Sequence, residues 1–144
     1  VMANNASISG AEGGCQAEVG SASAMSAAAL VTANGGTPEM AANALAITLK
    51  NVMGLLCDPV AGLVEVPCVK RNAMGASQAF ISADMALAGI RSVIPPDEVV
   101  EAMYTVGRAM PHISKDTAEG GVATTPTGLR LQKQVFGEPE KATV

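Results

Sequence analysis

Three cysteines are the residues of this sequence whose type and position most favour chemistry. Cys15 follows a Gly-Gly pair and Cys68 follows Pro67, each at the predicted start of a helix. Exposed backbone N–H groups and the helix dipole at such a position lower the pKa of a thiol and favour the thiolate, which is the form that binds metal. Cys57 lies at a predicted helix end, and the loop from Cys57 to Cys68 can fold those two sulfurs towards each other.

The spacing of the cysteines leaves three interpretations open. Intervals of 42 and 11 residues match neither a zinc ribbon nor a ferredoxin pattern. Three cysteines cannot all pair with one another, and the N-terminal residues lack the basic and apolar regions of an export signal, so a disulfide framework is disfavoured. The thiols are therefore buried small hydrophobes, a reactive group or metal ligands.

The elements that position these cysteines are predicted to be helices. The 144 residues are 49% apolar but only 2% aromatic, so the core must be built from Ala, Val, Leu, Ile and Met, which favours helices over strands. Thr37-Pro38-Glu39 is a typical start signal, with a capping hydroxyl, a proline at the first helical position and an acid in the first turn. The helix that it opens is apolar on most of its surface and is predicted to lie in the middle of the domain.

We therefore predict an all-α, single compact domain of about five helices over residues 1–144. The start at Val1, in what looks like mid-domain sequence, predicts a fragment of a larger catalytic domain. Residues 1–14 and 114–128 are predicted loops, and 137–144 a solvated tail. The helices are expected at about 14–32, 38–55, 67–90, from the Pro95-Pro96 pair to Pro111, and 129–135.

Composition also excludes several classes of function. The net charge is −4, and Lys and Arg are scattered, whereas nucleic-acid binding needs a basic stripe, often with stacking aromatics. No run of 18 apolar residues is present, which predicts no membrane span. With no secretory signal visible, we expect a cytoplasmic protein that binds neither nucleic acid nor membrane.

Two stretches around the cysteines are long enough to be specific. The first is SISGAEGGCQAEVG at 7–20, and the second is CDPVAGLVEVPCVKRN at 57–72. Both resemble the signature of the iron–sulfur L-serine dehydratases (L-serine deaminases), in the C-terminal, cluster-binding part of their α chain. The likeness extends from Ala3 to Leu129.

The resemblance implies the cofactor and the reaction. It makes Cys15, Cys57 and Cys68 the ligands of a 4Fe–4S cluster in an enzyme that converts L-serine to pyruvate and ammonia without pyridoxal phosphate, in amino-acid degradation and gluconeogenesis. Three protein ligands leave one iron open, and that iron acts as a Lewis acid on the substrate hydroxyl. Some family members place a C-terminal cysteine on this iron, whereas no cysteine follows Cys68 in these residues.

Polar residues beside the cysteines are candidates for binding the substrate. Arg71 follows Cys68 closely, and because a guanidinium binds a carboxylate through two parallel hydrogen bonds, it is the candidate for the serine carboxylate. Its alternative is a helix-surface arginine. Asn72 and the polar residues before Cys15 are further candidates for contacts with substrate or cluster, although turn chemistry explains the latter equally well; these are Asn4, Asn5, Ser7 and Ser9.

The general base is not assigned by the sequence. Glu12 and Glu18 are candidates, but solvated glutamates are commoner, and the single histidine, His112, is more typical of a capping group beside Pro111. The family also has a β domain or β chain, so we expect the rest of the α chain, a homo- or hetero-oligomer, and no serine deamination by these residues alone. The alternative from another class is a non-catalytic helical subunit or interaction domain with buried structural cysteines.

Overall fold

The computed structural model describes residues 1–137. Within this range none of the residues lies in a β-strand, and the only extended pairing is an isolated bridge between Cys57 and Lys115. Single turns of 3₁₀ helix occur at Val60–Gly62, His112–Ser114 and Gly121–Thr124. The α-helices are α1 Met2–Asn5, α2 Gly10–Gly13, α3 Cys15–Ala33, α4 Pro38–Val52, α5 Cys68–Leu87, α6 Pro96–Ala109 and α7 Pro126–Phe136.

The all-α prediction is confirmed, and the five predicted helices correspond to α3 to α7. Thr37 caps α4 as expected: its hydroxyl accepts a hydrogen bond from the N–H of Met40 at 3.2 Å, and Pro38 is the first helical residue. The last helix, α7, begins at Pro126, three residues earlier than predicted. Thr125 caps this helix in the same way, because its hydroxyl accepts a hydrogen bond from the N–H of Gly128 at 3.1 Å.

The prediction of a loop over residues 1–14 is wrong in part. Two helices of four residues each, α1 and α2, lie in this segment. A single turn carries too few apolar residues to show a helical period, so composition alone predicted loop here. The predicted tail at 137–144 lies almost entirely outside the described residues.

Small residues allow the long helices to pack closely. A Cβ added to Gly75 of α5 would come within 2.7 Å of Val19 and 2.5 Å of Ser23 on α3. Alanines on α3, α4 and α5 fill one part of the core, around the fully buried Val31. This packing confirms a core built from small apolar side chains rather than from aromatic residues.

Helix α4 lies in the middle of the domain, as predicted. It packs against α3, α5 and α6, and its Leu49 is fully buried beside Val99 and Met103 of α6. None of the helices within residues 1–137 combines the length and apolar character needed to cross a membrane.

Candidate functional site

The three cysteines lie at the ends of the elements that carry them. Cys15 is the first residue of α3 and Cys68 the first residue of α5, as predicted, while Cys57 lies in the connection between α4 and α5. Cys15 and Cys57 are 1% and 2% exposed and share a small buried cluster with Val19. All three are free thiols, and Cys68 is half-buried.

A buried glutamine fixes the approach of the Cys57 segment to Cys15. The side chain of Gln16 accepts a hydrogen bond from the N–H of Gly54 at 2.9 Å and donates one to the carbonyl of Met103 at 2.9 Å. Its backbone N–H donates to the carbonyl of Leu55 at 2.9 Å. The residue after Cys15 therefore joins α3, α6 and the segment that leads to Cys57.

Cys57 is held on its other side by the segment after α6. Its N–H donates to the carbonyl of Ser114 at 2.9 Å, and its carbonyl accepts from the N–H of Asp116 at 2.9 Å. The thiol donates to the carboxylate of Asp116 at 3.5 Å. Asp116 has a φ of 62°, a left-handed conformation that is uncommon outside glycine and is often found at functional sites.

Burial and neighbouring charges raise the pKa of two of the thiols, Cys57 and Cys68. Burial, followed by the neighbouring Cys15 and Asp116, raises the pKa of the Cys57 thiol well above its ordinary value. Burial and then Cys15 raise the pKa of Cys68, and the charge of Arg71 opposes them. The expectation that the helix N-terminus lowers the pKa of Cys68 is therefore wrong, because burial of the thiol raises its pKa.

Glycines allow the backbone to approach the thiols of this site closely. A Cβ on Gly10 would lie 3.3 Å from the sulfur of Cys57 and 3.1 Å from a carboxylate oxygen of Glu18. Gly14, at the N-cap of α3, has a φ of 75°, and a Cβ there would lie 2.8 Å from the carbonyl oxygen of Leu55. Gly14 therefore requires a residue without a side chain, whereas a side chain at Gly10 would make neighbouring side chains shift by a few tenths of an ångström.

Arg71 reaches the site from the first turn of α5. Its Nη1 atom donates to Oδ1 of Asp58 at 2.7 Å and to the carbonyl of Leu56 at 2.8 Å, and it lies 3.8 Å from the sulfur of Cys15. The alternative of a helix-surface arginine is wrong, since the side chain is only 17% exposed.

The other predicted polar residues do not meet the cysteines through any described contact. The hydroxyl of Ser7 donates to Glu12 at 2.5 Å and accepts from the N–H of Ser9 at 3.0 Å, while the side chain of Asn5 donates to the carbonyl of Val1. These are local turn contacts, and Ser7 and Glu12 line a cavity of about 700 Å³ that none of the three cysteines lines. Asn72 is exposed on α5.

The candidate bases are separated by the fold. Glu18 is exposed, but its carboxylate lies on the same side of Gly10 as the sulfur of Cys57 and acts electrostatically on Cys68. Glu12 accepts a hydrogen bond from Ser7. The side chain of His112 is 82% exposed, and its Nδ1 lies 4.0 Å from a carboxylate oxygen of Glu119.

Sequence reasoning missed two carboxylates at this site. Asp58 is buried and bonds to Arg71, and Asp116 contacts Cys57. The position of Asp58 directly after a candidate ligand was an available signal. Nothing in the sequence near Asp116 indicates its place, because the bridge that brings it to Cys57 joins segments nearly 60 residues apart.

The donor set of the site fits a thiolate-ligated group better than a single metal ion. Among residues 1–137, no three His, Cys, Asp or Glu side chains are grouped so as to hold one ion. A four-iron cube is wider than one ion and binds sulfurs that are farther apart. The site offers three free thiols, with the backbone of Gly10 close to Cys57 and the guanidinium of Arg71 close to Cys15, and thiolates are the ligands that iron–sulfur clusters use.

The fold and site together define an all-helical domain with a thiol centre at the N-termini of two helices. A family model described as serine dehydratase alpha chain matches residues 1–123. The chain belongs to this family.

Relatives of this family cover nearly all of the chain. It is 70% identical over 137 residues to "Probable L-serine dehydratase, alpha chain" of Bacillus subtilis, covering 95% of this chain and 46% of that protein. It is 54% identical over 138 residues to "L-serine dehydratase, alpha chain" of Peptoniphilus asaccharolyticus, covering 96% of this chain and 47% of that protein. For the relative in Latilactobacillus sakei, "Probable L-serine dehydratase, alpha chain", the identity is 59% over 138 residues, covering 96% of this chain and 66% of that protein. The chain thus spans about half to two thirds of the length of these relatives.

Proposed function

We propose that this chain is the cluster-binding part of a 4Fe–4S L-serine dehydratase, which converts L-serine to pyruvate and ammonia. Cys15, Cys57 and Cys68 are the proposed ligands. The observation that supports the proposal is that Cys15 and Cys57 share a buried cluster and that Cys15 acts electrostatically on Cys68, in a chain whose relatives are named L-serine dehydratase.

The cofactor and the protein have separate tasks in this proposal. A 4Fe–4S cluster on three cysteines supplies an iron with an open position that polarises the substrate hydroxyl as a Lewis acid. The protein, including the part of its relatives that this chain does not span, must hold the serine and take its α-proton. Within this chain the carboxylates nearest the thiols are Glu18, which is exposed, and Asp116, which accepts a hydrogen bond from Cys57, so we expect the base to lie in the rest of the enzyme.

The substrate-binding residues stay predictions. Arg71 remains the candidate for the serine carboxylate, although each of its described contacts uses Nη1, which is bonded within the protein. Asn5, Ser7, Ser9 and Asn72 have no described contact with the thiols, so support for them is weaker than for Arg71.

Anaerobic reconstitution with iron and sulfide tests the proposal. We expect about four irons and four sulfides per chain, in line with the proposed cluster type, with a thiolate-to-iron absorbance band in the visible range. The assembled enzyme should then form pyruvate from serine. The control is Ser21→Ala, which changes a buried small residue on the same helix as Cys15, one with no hydrogen-bond partner for its hydroxyl among the described residues. Absence of bound iron in the folded wild-type chain would contradict the proposal.

The alternative is a non-catalytic helical subunit with buried structural cysteines. The burial of Cys15 and Cys57 favours it, because buried thiols behave as small hydrophobes, and burial also raises the pKa of Cys57. Reconstitution separates the two functions, since inert thiols would bind neither iron nor sulfide.

The assembly of the enzyme is also part of the proposal. The name "alpha chain" in the relatives supports a partner β chain or β domain. Several expectations stay predictions. They are a homo- or hetero-oligomer that includes the rest of the α chain, the domain limits 1–144, a reaction without pyridoxal phosphate, and a cytoplasmic location.

A further inference from the structure

Arg71 is bound to the protein on the side that faces the thiols. Its Nη1 lies between the carboxylate of Asp58, the carbonyl of Leu56 and the sulfur of Cys15. We infer that Arg71, held by Asp58, is a positioning residue that stabilises the cluster through the sulfur of Cys15. This inference rests on the proposed function, and it assigns to Arg71 a role other than binding the serine carboxylate.

Asp58 is itself fixed on both of its oxygens. Oδ1 accepts from Arg71, and Oδ2 accepts from the N–H of Val122 at 2.7 Å. The backbone of Gly121 packs directly against this carboxylate. Because the side chains of Asp58 and Arg71 are only 3% and 17% exposed, the guanidinium has little freedom to turn towards a ligand.

The pair keeps a positive charge at a partly dehydrated place. Burial alone lowers the pKa of Arg71, but hydrogen bonds with Asp58 and Cys15 outweigh it and raise the pKa above its ordinary value. A buried charged pair is costly to form and costly to break, so its presence is poorly explained by stability alone. Its position beside Cys15 supplies a reason for retaining it.

A cation next to a ligand sulfur has a definite effect on a cluster. Hydrogen bonds and positive charge at the sulfurs stabilise the electron-rich forms and raise the reduction potential. Removing the cation therefore makes the cluster easier to oxidise and quicker to break down in air. A residue that only bound substrate would change the Michaelis constant and leave these properties unchanged.

Four variants of the assembled, anaerobically reconstituted enzyme test this role. For Arg71→Ala we expect cluster retention in air to fall by about tenfold, at the low end of the effect of residues that support metal ligands, and a more negative reduction potential. Arg71→Lys keeps the charge without the planar fork, so its retention should lie between those of Arg71→Ala and the wild type. Asp58→Asn should change retention in the same direction. The matched control is Arg91→Ala, because Arg91 pairs with Glu39 in an exposed position, 77% and 69% exposed, and should behave as the wild type does.

The measurements separate failure of the inference from failure of the proposed function. If the wild type binds no cluster, the proposed function fails. If the wild type binds a cluster and Arg71→Ala matches its iron content, potential and decay in air, the inference is overturned, and a raised Michaelis constant alone would assign Arg71 to the substrate. If circular dichroism instead shows that Arg71→Ala does not fold, the other two variants decide. In that case the inference is overturned if the clusters of both Arg71→Lys and Asp58→Asn decay in air at the same rate as the wild-type cluster.

Discussion

Gly121 lies against the buried carboxylate of Asp58, with no space for a side chain between them. The N–H of the next residue, Val122, donates to the same carboxylate at 2.7 Å. The φ of Gly121 is 57°, in the left-handed region that favours glycine. This contact joins the segment after α6 to the residue that follows Cys57.

Gly121→Ala should therefore destabilise the protein through Asp58. A Cβ would displace the carboxylate from its partners, and a buried group that loses its hydrogen bonds costs about 1–3 kcal/mol. The matched control is Gly35→Ala, since Gly35 has a φ of 77° and open space around it, so it carries the backbone cost alone. Chemical unfolding should give Gly121→Ala the larger loss, and equal losses would show that the packing against Asp58 is unimportant.

Leu49→Ala should test the place of α4 in the core. Leu49 of α4 is fully buried against α6. Removing such a side chain leaves a cavity and lowers the free energy of unfolding by about 2–5 kcal/mol. Leu129→Ala is the control, because Leu129 is 46% exposed and substitutions at such surface positions usually change stability by no more than about 0.5 kcal/mol. The free energy of unfolding from denaturant melts decides between them.

Cys68→Ala should remove both cluster and activity while the fold persists. Cys68 is half-buried at the first residue of α5, so its loss removes little buried surface. We expect the assembled Cys68→Ala enzyme to have the circular dichroism spectrum of the wild type. Its iron content should be well below that of the wild type, and it should form no pyruvate from serine. A Cys68→Ala enzyme that keeps its full iron content and activity would exclude Cys68 as a ligand.

The fold was largely predictable because its signals are local. The Thr37-Pro38 start acts within a few residues, and the shortage of aromatic residues along the chain favours helices throughout. Helices α3 to α7 follow these signals. The start of α7 at Thr125-Pro126 carries the same signal and was still missed, because threonines and glycines around it favoured a loop. The one-turn helices α1 and α2 have too few residues to show a period.

The site was predictable only in part, because it depends on contacts between distant segments. The positions of Cys15 and Cys68 at helix starts follow from neighbouring Gly and Pro residues. The bond between Arg71 and Asp58, and the approach of Asp116 to Cys57, depend on how the connections fold back. No local pattern encodes such contacts, and for the same reason the acidity of Cys68 was expected with the wrong sign.

The last prediction is that residues 1–144 alone will not deaminate serine, even with a reconstituted cluster. Elimination needs the Lewis-acid iron, a positioned base, and groups that fix the carboxylate and the amine of the substrate. Glu18 is exposed to solvent and Asp116 is bonded to the thiol of Cys57, so neither is held for proton transfer. Arg71 is bonded to Asp58, so the one proposed carboxylate ligand is also engaged.

The proposed missing groups lie in the part of the relatives that this chain does not span, which is about half of the Bacillus subtilis protein. The test is a pyruvate assay with serine after anaerobic reconstitution of the 144-residue chain, beside the assembled enzyme. We expect the assembled enzyme to form pyruvate and the chain alone to form none. Pyruvate formation by the chain alone at a rate near that of the assembled enzyme would place the base within these residues. The variants Asp116→Asn and Glu18→Gln would then identify it. Glu12→Gln is the control, because Glu12 lies in a local turn with Ser7.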